Sequence, residues 1–224
     1  RRYLLSEGID GKTMFVTGSP MREVLREHKE RIERSDVLER LGLEKGKYIL
    51  VSAHREENID NEENFLDLMN AINRIAERYR MPVIYSTHPR SMKFIEKRQF
   101  RFHPLVRNLK PFGFFDYNHL QMNSYCVLSD SGTLSEESAM LHFTGVLIRT
   151  STERPEVLDK GTGVIGGIKG EDVEQAVELA VAMRENNEET VMAEDYADEN
   201  VSVKVVKLIQ SYTKIVNQTV WLKR

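Results

Sequence analysis

Short apolar runs alternate with longer amphipathic stretches along almost the whole chain. The apolar runs consist mainly of Val, Ile, Leu and Tyr, which is typical of parallel strands that are buried on both faces. The runs that we predict to be strands are residues 12–16, 47–52, 83–86, 105–109, 125–128, 146–148 and 163–165. Helical spacing predicts a helical stretch from 21 to 40 and helices over 65–79, from about 134, around 173–181 and over 201–220. This alternation predicts one doubly wound α/β domain with a parallel sheet that is covered on both faces.

Composition excludes several classes of protein. The 224 residues carry a net charge of −3, which gives no electrostatic reason to expect nucleic-acid or anionic-membrane binding. No apolar run is long enough to cross a bilayer. The single cysteine, Cys126, excludes an internal disulfide and a multi-cysteine metal site, and it fits a reducing cytoplasm. Arg1 lies inside a helix-like segment without a preceding signal peptide, and we expect the chain to be part of a longer protein.

Polar residues that could bind a ligand or take part in catalysis follow several of the predicted strands. They include Ser52 to Asn58, Ser86 to Arg90, Ser129 to Thr133 and Arg149 to Glu156. Because the carboxyl ends of parallel strands share one edge of the sheet, we expect these residues to gather there, where such sheets bind ligands.

The segment from Ser129 to Ser138 carries the most specific signal of the chain. Thr133 and Glu136 have the spacing of a capping box, which predicts the start of a helix. Ser131 and Gly132 would then lie at the positive end of that helix and could bind a phosphate through backbone N–H groups. An ordinary strand-to-helix turn is the alternative interpretation. A nearby carboxylate could reach a sugar hydroxyl, which favours a nucleotide ligand.

Other candidates at this edge each have a common structural alternative. His54, beside Arg55, and His88 suit contact with an anion or a leaving group, although a lone histidine is more often structural. No clustered Cys or acidic residues accompany these two histidines, so no metal site is predicted. Arg154 could hold a phosphate, or it could form a surface ion pair. Phe112 and Tyr117 could stack on a base, although core packing is the commoner use of such side chains.

With these residues in hand, the chain resembles the C-terminal half of the non-hydrolysing UDP-N-acetylglucosamine 2-epimerase family. The segments that carry the resemblance are Ala53-His54-Arg55-Glu56-Glu57-Asn58, His88-Pro89, Ser129 to Glu137, and Thr152-Glu153-Arg154-Pro155-Glu156. The resemblance implies a glycosyltransferase-B-like enzyme of two Rossmann-like domains, in which the C-terminal domain holds UDP. It divides the chain into the end of an inter-domain connection (1–10), a UDP-binding domain (11–200) and a C-terminal helix (201–224) that packs back towards an N-terminal domain.

The resemblance also implies roles for individual residues. His54 would be catalytic and contact the diphosphate, Ser131 and Gly132 would bind phosphate, and Glu137 would bind the ribose hydroxyls. The full set of residues expected to bind UDP is Ser131, Gly132, Thr133, Glu137, Arg154, Tyr117, Phe112, His88 and Arg55. The reaction would eliminate UDP from the substrate to leave a 2-acetamidoglycal and would then add UDP back to this intermediate. No cofactor would be needed. The acid and base at C2 would belong to the N-terminal domain.

Departures from the commonest family pattern leave the substrate open. Ser131-Gly132-Thr133-Leu134-Ser135 replaces the usual Ser-Gly-Gly-x-Gln, and Ser19-Pro20 follows Gly18. These variants resemble the branch that makes UDP-N-acetyl-L-fucosamine, so either that sugar or UDP-N-acetylglucosamine fits the chain. A glycosyltransferase-B sugar transferase that uses a UDP-sugar is the alternative function. The expected partners are the UDP-sugar and a second copy of the full-length protein in a homodimer.

Overall fold

The computed structural model describes residues 1–151, 158, 160–161, 163–188 and 192–223. By its contacts the chain divides into two compact units. The smaller unit combines Arg1–Glu27 with the residues from Ala193 to the end of the chain, and the larger unit is His28–Met192. None of the described helices is both long enough and apolar enough to span a membrane.

The smaller unit is helical. It contains α1 (Arg2–Ser6), α2 (Met21–Glu27), the long C-terminal helix α11 (Val201–Thr219) and 3-10 turns at Gly11–Thr13 and Glu194–Tyr196. Glu199 accepts hydrogen bonds at 2.9 Å from both Arg22 and Arg26, which ties α2 to the segment before α11. The solvent-exposed apolar residues of α11 are Val203, Val205, Val206, Ile209 and Ile215.

The strand predicted at residues 12–16 is wrong. Residues 11–13 form a 3-10 turn instead, because the Asp10 side chain accepts a hydrogen bond from the Lys12 N–H at 3.0 Å. The Thr13 hydroxyl also donates to the Asp10 carbonyl at 2.7 Å. Local hydrogen bonds of this kind compete with strand formation and decide the outcome where no neighbouring strand is present.

The larger unit is built on a parallel sheet of six strands. The strands are β1 (Ile49–Ser52), β2 (Val83–Ser86), β3 (Val106–Leu109), β4 (Cys126–Ser129), β5 (Gly145–Leu147) and β6 (Val164–Ile165). Their order in the sheet is β3-β2-β1-β4-β5-β6, and every neighbouring pair is parallel. The predicted α/β, Rossmann-like fold class is confirmed. The strand order reverses between β1 and β4: the chain moves from β1 outwards to β3 on one side and from β4 outwards to β6 on the other. Such a switch point leaves a crevice at the carboxyl ends of the two strands.

Helices cover both faces of this sheet. They are α3 (Lys29–Glu33), α4 (Val37–Leu41), α5 (Glu56–Ile59), α6 (Glu62–Tyr79), α7 (Pro89–Lys97), α8 (Phe114–Asn123), α9 (Leu134–Leu141) and α10 (Gly170–Glu185). Successive strand residues point to opposite faces, so that Ile49 and Val51 enter one core while Tyr48 and Leu50 enter the other. The first core contains side chains of α6 and α10, and the second contains side chains of α4, α8 and α9. Burial on both faces explains why the inner strands β1, β2 and β4 are almost continuously apolar, whereas the edge strand β3 contains Arg107 and Asn108.

The single cysteine lies in the middle of this sheet. Cys126 begins β4 and is fully buried in the first core. Burial raises the pKa of the Cys126 thiol to about 12, because a thiolate would lose its hydration there. The thiol is therefore a packing group and remains protonated at neutral pH.

Candidate functional site

The loops that follow β1 and β4 begin side by side at the point where the strand order reverses. Ser52, the last residue of β1, is in register with Ser129, the last residue of β4. His54 and Arg55 therefore leave the sheet next to Ser131 and Gly132. The sequence-based expectation that these two groups share one edge is confirmed by this register.

Asp130 joins the two loops. Its side chain is completely buried, and Oδ2 accepts hydrogen bonds from the backbone N–H groups of His54 and Arg55, both at 2.8 Å. The Asn58 side chain donates to the same oxygen at 3.3 Å and to the Ile148 carbonyl at 3.2 Å. Three donors on one carboxylate oxygen fix the loop after β1 against the end of β4. Asp130 was not among the residues expected to bind UDP.

Arg55 also binds this junction. Its Nε donates to the Asp130 backbone carbonyl at 3.0 Å, so the guanidinium group lies across the start of the β4–α9 turn. The preceding residue, Ala53, is also held in place, because its carbonyl accepts hydrogen bonds from the hydroxyl groups of Tyr85 and Ser91, each at 2.8 Å. The backbone that carries His54 is therefore held from both sides.

Two imidazole rings lie together at the edge. The His54 and His88 ring centroids are 5.2 Å apart with an interplanar angle of 31°. The His54 side chain is 42% exposed, and its Nδ1 lies 3.6 Å from Asp130 Oδ1. His88 caps α7, since its Nδ1 accepts a hydrogen bond from the Arg90 N–H at 3.2 Å. Among the described residues, no group of three or more His, Cys, Asp and Glu side chains is arranged to hold a metal ion.

The turn between β4 and α9 differs in detail from the prediction. Helix α9 does begin at Leu134, but the Thr133 side chain makes no capping hydrogen bond, so the predicted capping box is wrong. Thr133 has a helical backbone conformation, and its Oγ1 lies 3.0 Å from Ser131 Oγ instead. The Ser131 N–H donates to Ser129 Oγ at 3.1 Å. Within the described part of the chain, the Gly132 N–H has no hydrogen-bond acceptor.

Glu137 lies one turn into α9 and is partly buried. Burial raises the pKa of the Glu137 carboxyl, and the neighbouring Glu136 carboxylate adds to this effect. The Gln121 side chain opposes it by donating a hydrogen bond to Glu137 Oε2 at 2.6 Å. A side-chain hydrogen bond from Thr133 acts in the same direction as the one from Gln121, and a carboxylate with two donors can still accept a hydrogen bond from a ligand hydroxyl.

The two aromatic residues that could stack on a base, Phe112 and Tyr117, lie at the same edge of the sheet. Tyr117 is half-buried against the second core, and its hydroxyl lies near the side chains of Ser52 and Ser129. Burial raises the pKa of the Tyr117 hydroxyl, and the Glu137 charge contributes to the shift. Phe112 is also half-buried, and its N–H donates to Ser86 Oγ at 3.5 Å. Arg154 lies outside the described residues.

A second buried charge, which was not among the residues expected to bind UDP, supports the same loops. Arg149, which is 2% exposed, donates to Glu57 Oε1 at 3.2 Å. This pair joins α5 to the segment after β5. The available signal for Asp130 and Arg149 was a charged residue within two positions of the end of a strand, β4 and β5 respectively. Sequence spacing could not show which backbone groups these side chains would meet.

The comparisons with known proteins agree with this geometry. The model of the family described as UDP-N-acetylglucosamine 2-epimerase matches residues 1–210, which is nearly the whole chain. The chain belongs to this family. Its predicted resemblance to the 2-epimerases is therefore confirmed.

Solved structures and curated relatives support the assignment to the 2-epimerase family. UDP-N-acetylglucosamine 2-epimerase from Rickettsia bellii is 36% identical, with a TM-score of 0.86 over 99% of this chain and 60% of that chain. An S. aureus protein, MnaA, solved in a co-structure with UDP, is 25% identical, with a TM-score of 0.78 over 95% of this chain and 57% of that chain. The UDP-N-acetylglucosamine 2-epimerase of Methanocaldococcus jannaschii is 27% identical over 83% of this chain and 53% of its own length. The chain spans about half the length of the curated relatives it matches.

Proposed function

We propose that this chain supplies the UDP-binding half of a UDP-N-acetylhexosamine 2-epimerase. The observation that carries the proposal is the junction at Asp130, which holds the His54 loop beside the β4–α9 turn in the crevice of the sheet. Family membership and the S. aureus relative with UDP favour a uridine diphosphate as the occupant. A sugar transferase is not favoured, because the family match is to epimerases.

The proposed ligand runs along this edge. The Gly132 N–H and the positive end of α9 would receive a phosphate, with Ser131, Thr133 and Arg55 beside it. Glu137 would accept hydrogen bonds from the ribose hydroxyls. Phe112 and Tyr117 would border the base, and His88 would support the His54 ring. Arg154 would contribute a further cationic contact to the diphosphate.

The proposed reaction inverts C2 of the sugar by elimination and re-addition. The C2 hydrogen is not adjacent to a carbonyl group, so its direct removal would be very difficult. Loss of the C2 proton together with cleavage of the C1–O bond gives a 2-acetamidoglycal and UDP. Re-addition of UDP and return of a proton on the opposite face give the epimer. Negative charge grows on the outer phosphate as the C1–O bond breaks, and His54 together with backbone N–H groups would stabilise that charge.

The remaining parts of the proposal concern the longer protein. In a protein of the relatives' length, we expect the exposed apolar residues of α11 to pack against a preceding domain that supplies the acid and base at C2. A cytoplasmic homodimer is proposed for that protein. The sugar is either an N-acetyl-D-hexosamine or its 6-deoxy-L counterpart, since most sugar contacts would come from the other domain.

Isotope exchange tests the proposed reaction. A protein of the relatives' length is incubated in deuterated water with UDP-N-acetylglucosamine and, separately, with UDP-2-acetamido-2,6-dideoxy-L-talose, without any acceptor. We expect deuterium at C2 of one of these sugars, detected by mass spectrometry and NMR. The His54→Asn variant is expected to reduce the rate of incorporation at least a hundredfold. Absence of incorporation into both sugars would contradict the epimerase proposal.

A further inference from the structure

We propose that Asp130 is a positioning residue that fixes the tautomer of His54. It holds the ring with a proton on Nδ1 and leaves Nε2 as the nitrogen that faces the ligand. The tautomer of His54 is a property of this chain alone. Its relevance to the ligand rests on the proposed function.

The environment of the Asp130 carboxylate favours a proton on His54 Nδ1. Oδ2 of Asp130 is occupied by three donors, whereas Oδ1 is buried and has no hydrogen-bond partner among the described residues. An unsatisfied buried carboxylate oxygen is unfavourable, so a nearby N–H is strongly preferred over a lone pair. His54 Nδ1 lies 3.6 Å from this oxygen. That distance exceeds a hydrogen bond, but a small rotation of the ring would shorten it.

The chemistry of the imidazole ring favours the same tautomer. A neutral imidazole has one N–H donor and one lone pair, and the neighbouring group decides which nitrogen carries the proton. A lone pair on Nδ1 would face the lone pairs of Asp130 Oδ1 and be repelled, whereas an N–H on Nδ1 is attracted. The backbone N–H of His54 donates to the same carboxylate, so the ring and the carboxylate stay close together.

The adjacent histidine provides an internal reference with the opposite arrangement. His88 Nδ1 accepts the Arg90 N–H, so the proton of the neutral His88 ring lies on Nε2. The two rings, with centroids 5.2 Å apart, are therefore expected to carry opposite tautomers. This difference separates a specific effect of Asp130 from a general property of the loop region.

Nitrogen NMR of the chain tests the proposal without any enzyme assay. The chain is labelled with ¹⁵N-histidine, and long-range ¹H–¹⁵N spectra are recorded at a pH at which both rings are neutral. The signals are assigned with His54→Gln and His88→Gln. We expect the unprotonated nitrogen to be Nε2 in His54 and Nδ1 in His88. An unprotonated Nδ1 in His54, or a mixture of tautomers, would overturn the proposal.

A pair of variants separates positioning from structural support. In Asp130→Asn the amide oxygen still faces the two backbone N–H groups, so the NH₂ group faces His54 and should move its proton to Nε2. Asn58→Ala removes a hydrogen bond to Asp130 but keeps the carboxylate, and the parent tautomer is expected to persist. A folded Asp130→Asn variant with the parent tautomer would refute the proposal. If that variant does not fold, the spectrum of the parent still decides.

Calorimetry with UDP distinguishes failure of this proposal from failure of the proposed function. A parent chain that shows the expected His54 tautomer but does not bind UDP contradicts the proposed function and leaves the positioning role of Asp130 intact. A chain that binds UDP with its His54 proton on Nε2 contradicts the positioning role alone.

Discussion

The site depends on a few backbone and side-chain groups at the start of α9. Gly132 has no side chain between its N–H and the crevice, while Ser131 precedes it with a small hydroxyl group. Because helix dipoles and unpaired N–H groups favour anions, a negative side chain at this point should compete with a phosphate. Phosphate binding at this point can therefore be tested by introducing a negatively charged side chain.

Ser131→Asp is expected to weaken UDP binding by about tenfold or more, because its carboxylate would repel the phosphate at close range. Isothermal calorimetry of the folded chain measures this change. Asn70→Asp serves as the matched control, since it introduces the same charge at an exposed position of α6. Equal UDP affinities for the parent and Ser131→Asp would place the phosphate elsewhere.

Glu137 gives the chain a pH-dependent stability. Because burial raises its pKa above the ordinary 4.5, the folded chain binds this proton more tightly than the unfolded chain does. The resulting stabilisation is fully present below about pH 4.5 and is lost as the pH rises through the raised pKa. Relative to Glu137→Gln, the parent should therefore lose stability between pH 4 and pH 7.

Urea unfolding of both proteins at these two pH values measures the effect on the free energy of unfolding. Glu63→Gln, at an exposed position of α6, controls for a general loss of negative charge. If the parent and Glu137→Gln changed in parallel with pH, the burial of this carboxyl would not influence folding.

At the scale of elements, ion pairs link two helices on the same face of the sheet. Glu174 of α10 is only 13% exposed, accepts a hydrogen bond from Arg74 at 2.6 Å and forms an ion pair with Arg78 at 2.8 Å, both on α6. Glu171 is 84% exposed and lies 3.6 Å from Arg74. The hydrogen bond to Glu174 is the main cause of the raised pKa of Arg74. The two glutamates thus allow a largely buried ion pair to be compared with a solvent-exposed one.

Glu174→Gln is expected to lower the urea midpoint clearly, and more at low than at high salt, because a partly shielded carboxylate between two arginines is removed. Glu171→Gln should leave the midpoint within experimental error, since exposed pairs contribute little. Thermal and urea unfolding at two salt concentrations test both statements. If Glu171→Gln lowered the midpoint more than Glu174→Gln, Glu174 would not be the main link between the two helices.

The elements themselves could be predicted well wherever burial dictated the pattern. The run at Val83–Ser86 is buried on both faces and was predicted with its observed bounds. The run at 12–16 also contains consecutive apolar residues, but it pairs with none of the strands that the structure describes, and the Asp10 side chain accepts a hydrogen bond from the Lys12 N–H instead. Apolar composition alone cannot distinguish these two situations, because pairing is a tertiary property.

At the scale of the whole molecule, the edge of the sheet could be predicted but its internal contacts could not. His54, Ser131 and Gly132 follow directly from the rule that the carboxyl ends of parallel strands converge. Asp130 is 76 residues from His54 in sequence, and its bonds are to backbone N–H groups that carry no sequence signature. The false capping box at Thr133 has a similar origin, since Ser131 Oγ provides another neighbour for the hydroxyl.

The apolar residues of α11 provide a test of the proposed domain arrangement. Val206 and Ile209 are 59% and 58% exposed, so Val206→Lys with Ile209→Lys should change the Tm of this chain only slightly. In a protein of the relatives' length, the same double variant should lower Tm by several degrees, because two charges would enter the proposed interface. Differential scanning calorimetry of the four proteins measures this difference. Equal shifts in both lengths would contradict the packing of α11 against a preceding domain.

The burial of Cys126 within the sheet turns this residue into a built-in reporter of opening. A thiol reagent can reach it only when strand β4 separates from its surroundings, so the rate of modification in dilute denaturant reports the exposure of the sheet interior. The folded parent should remain unmodified for hours at neutral pH. A cysteine introduced at an exposed position such as Asn70 would then react alone, and a fluorophore attached there could be observed without replacing any native residue.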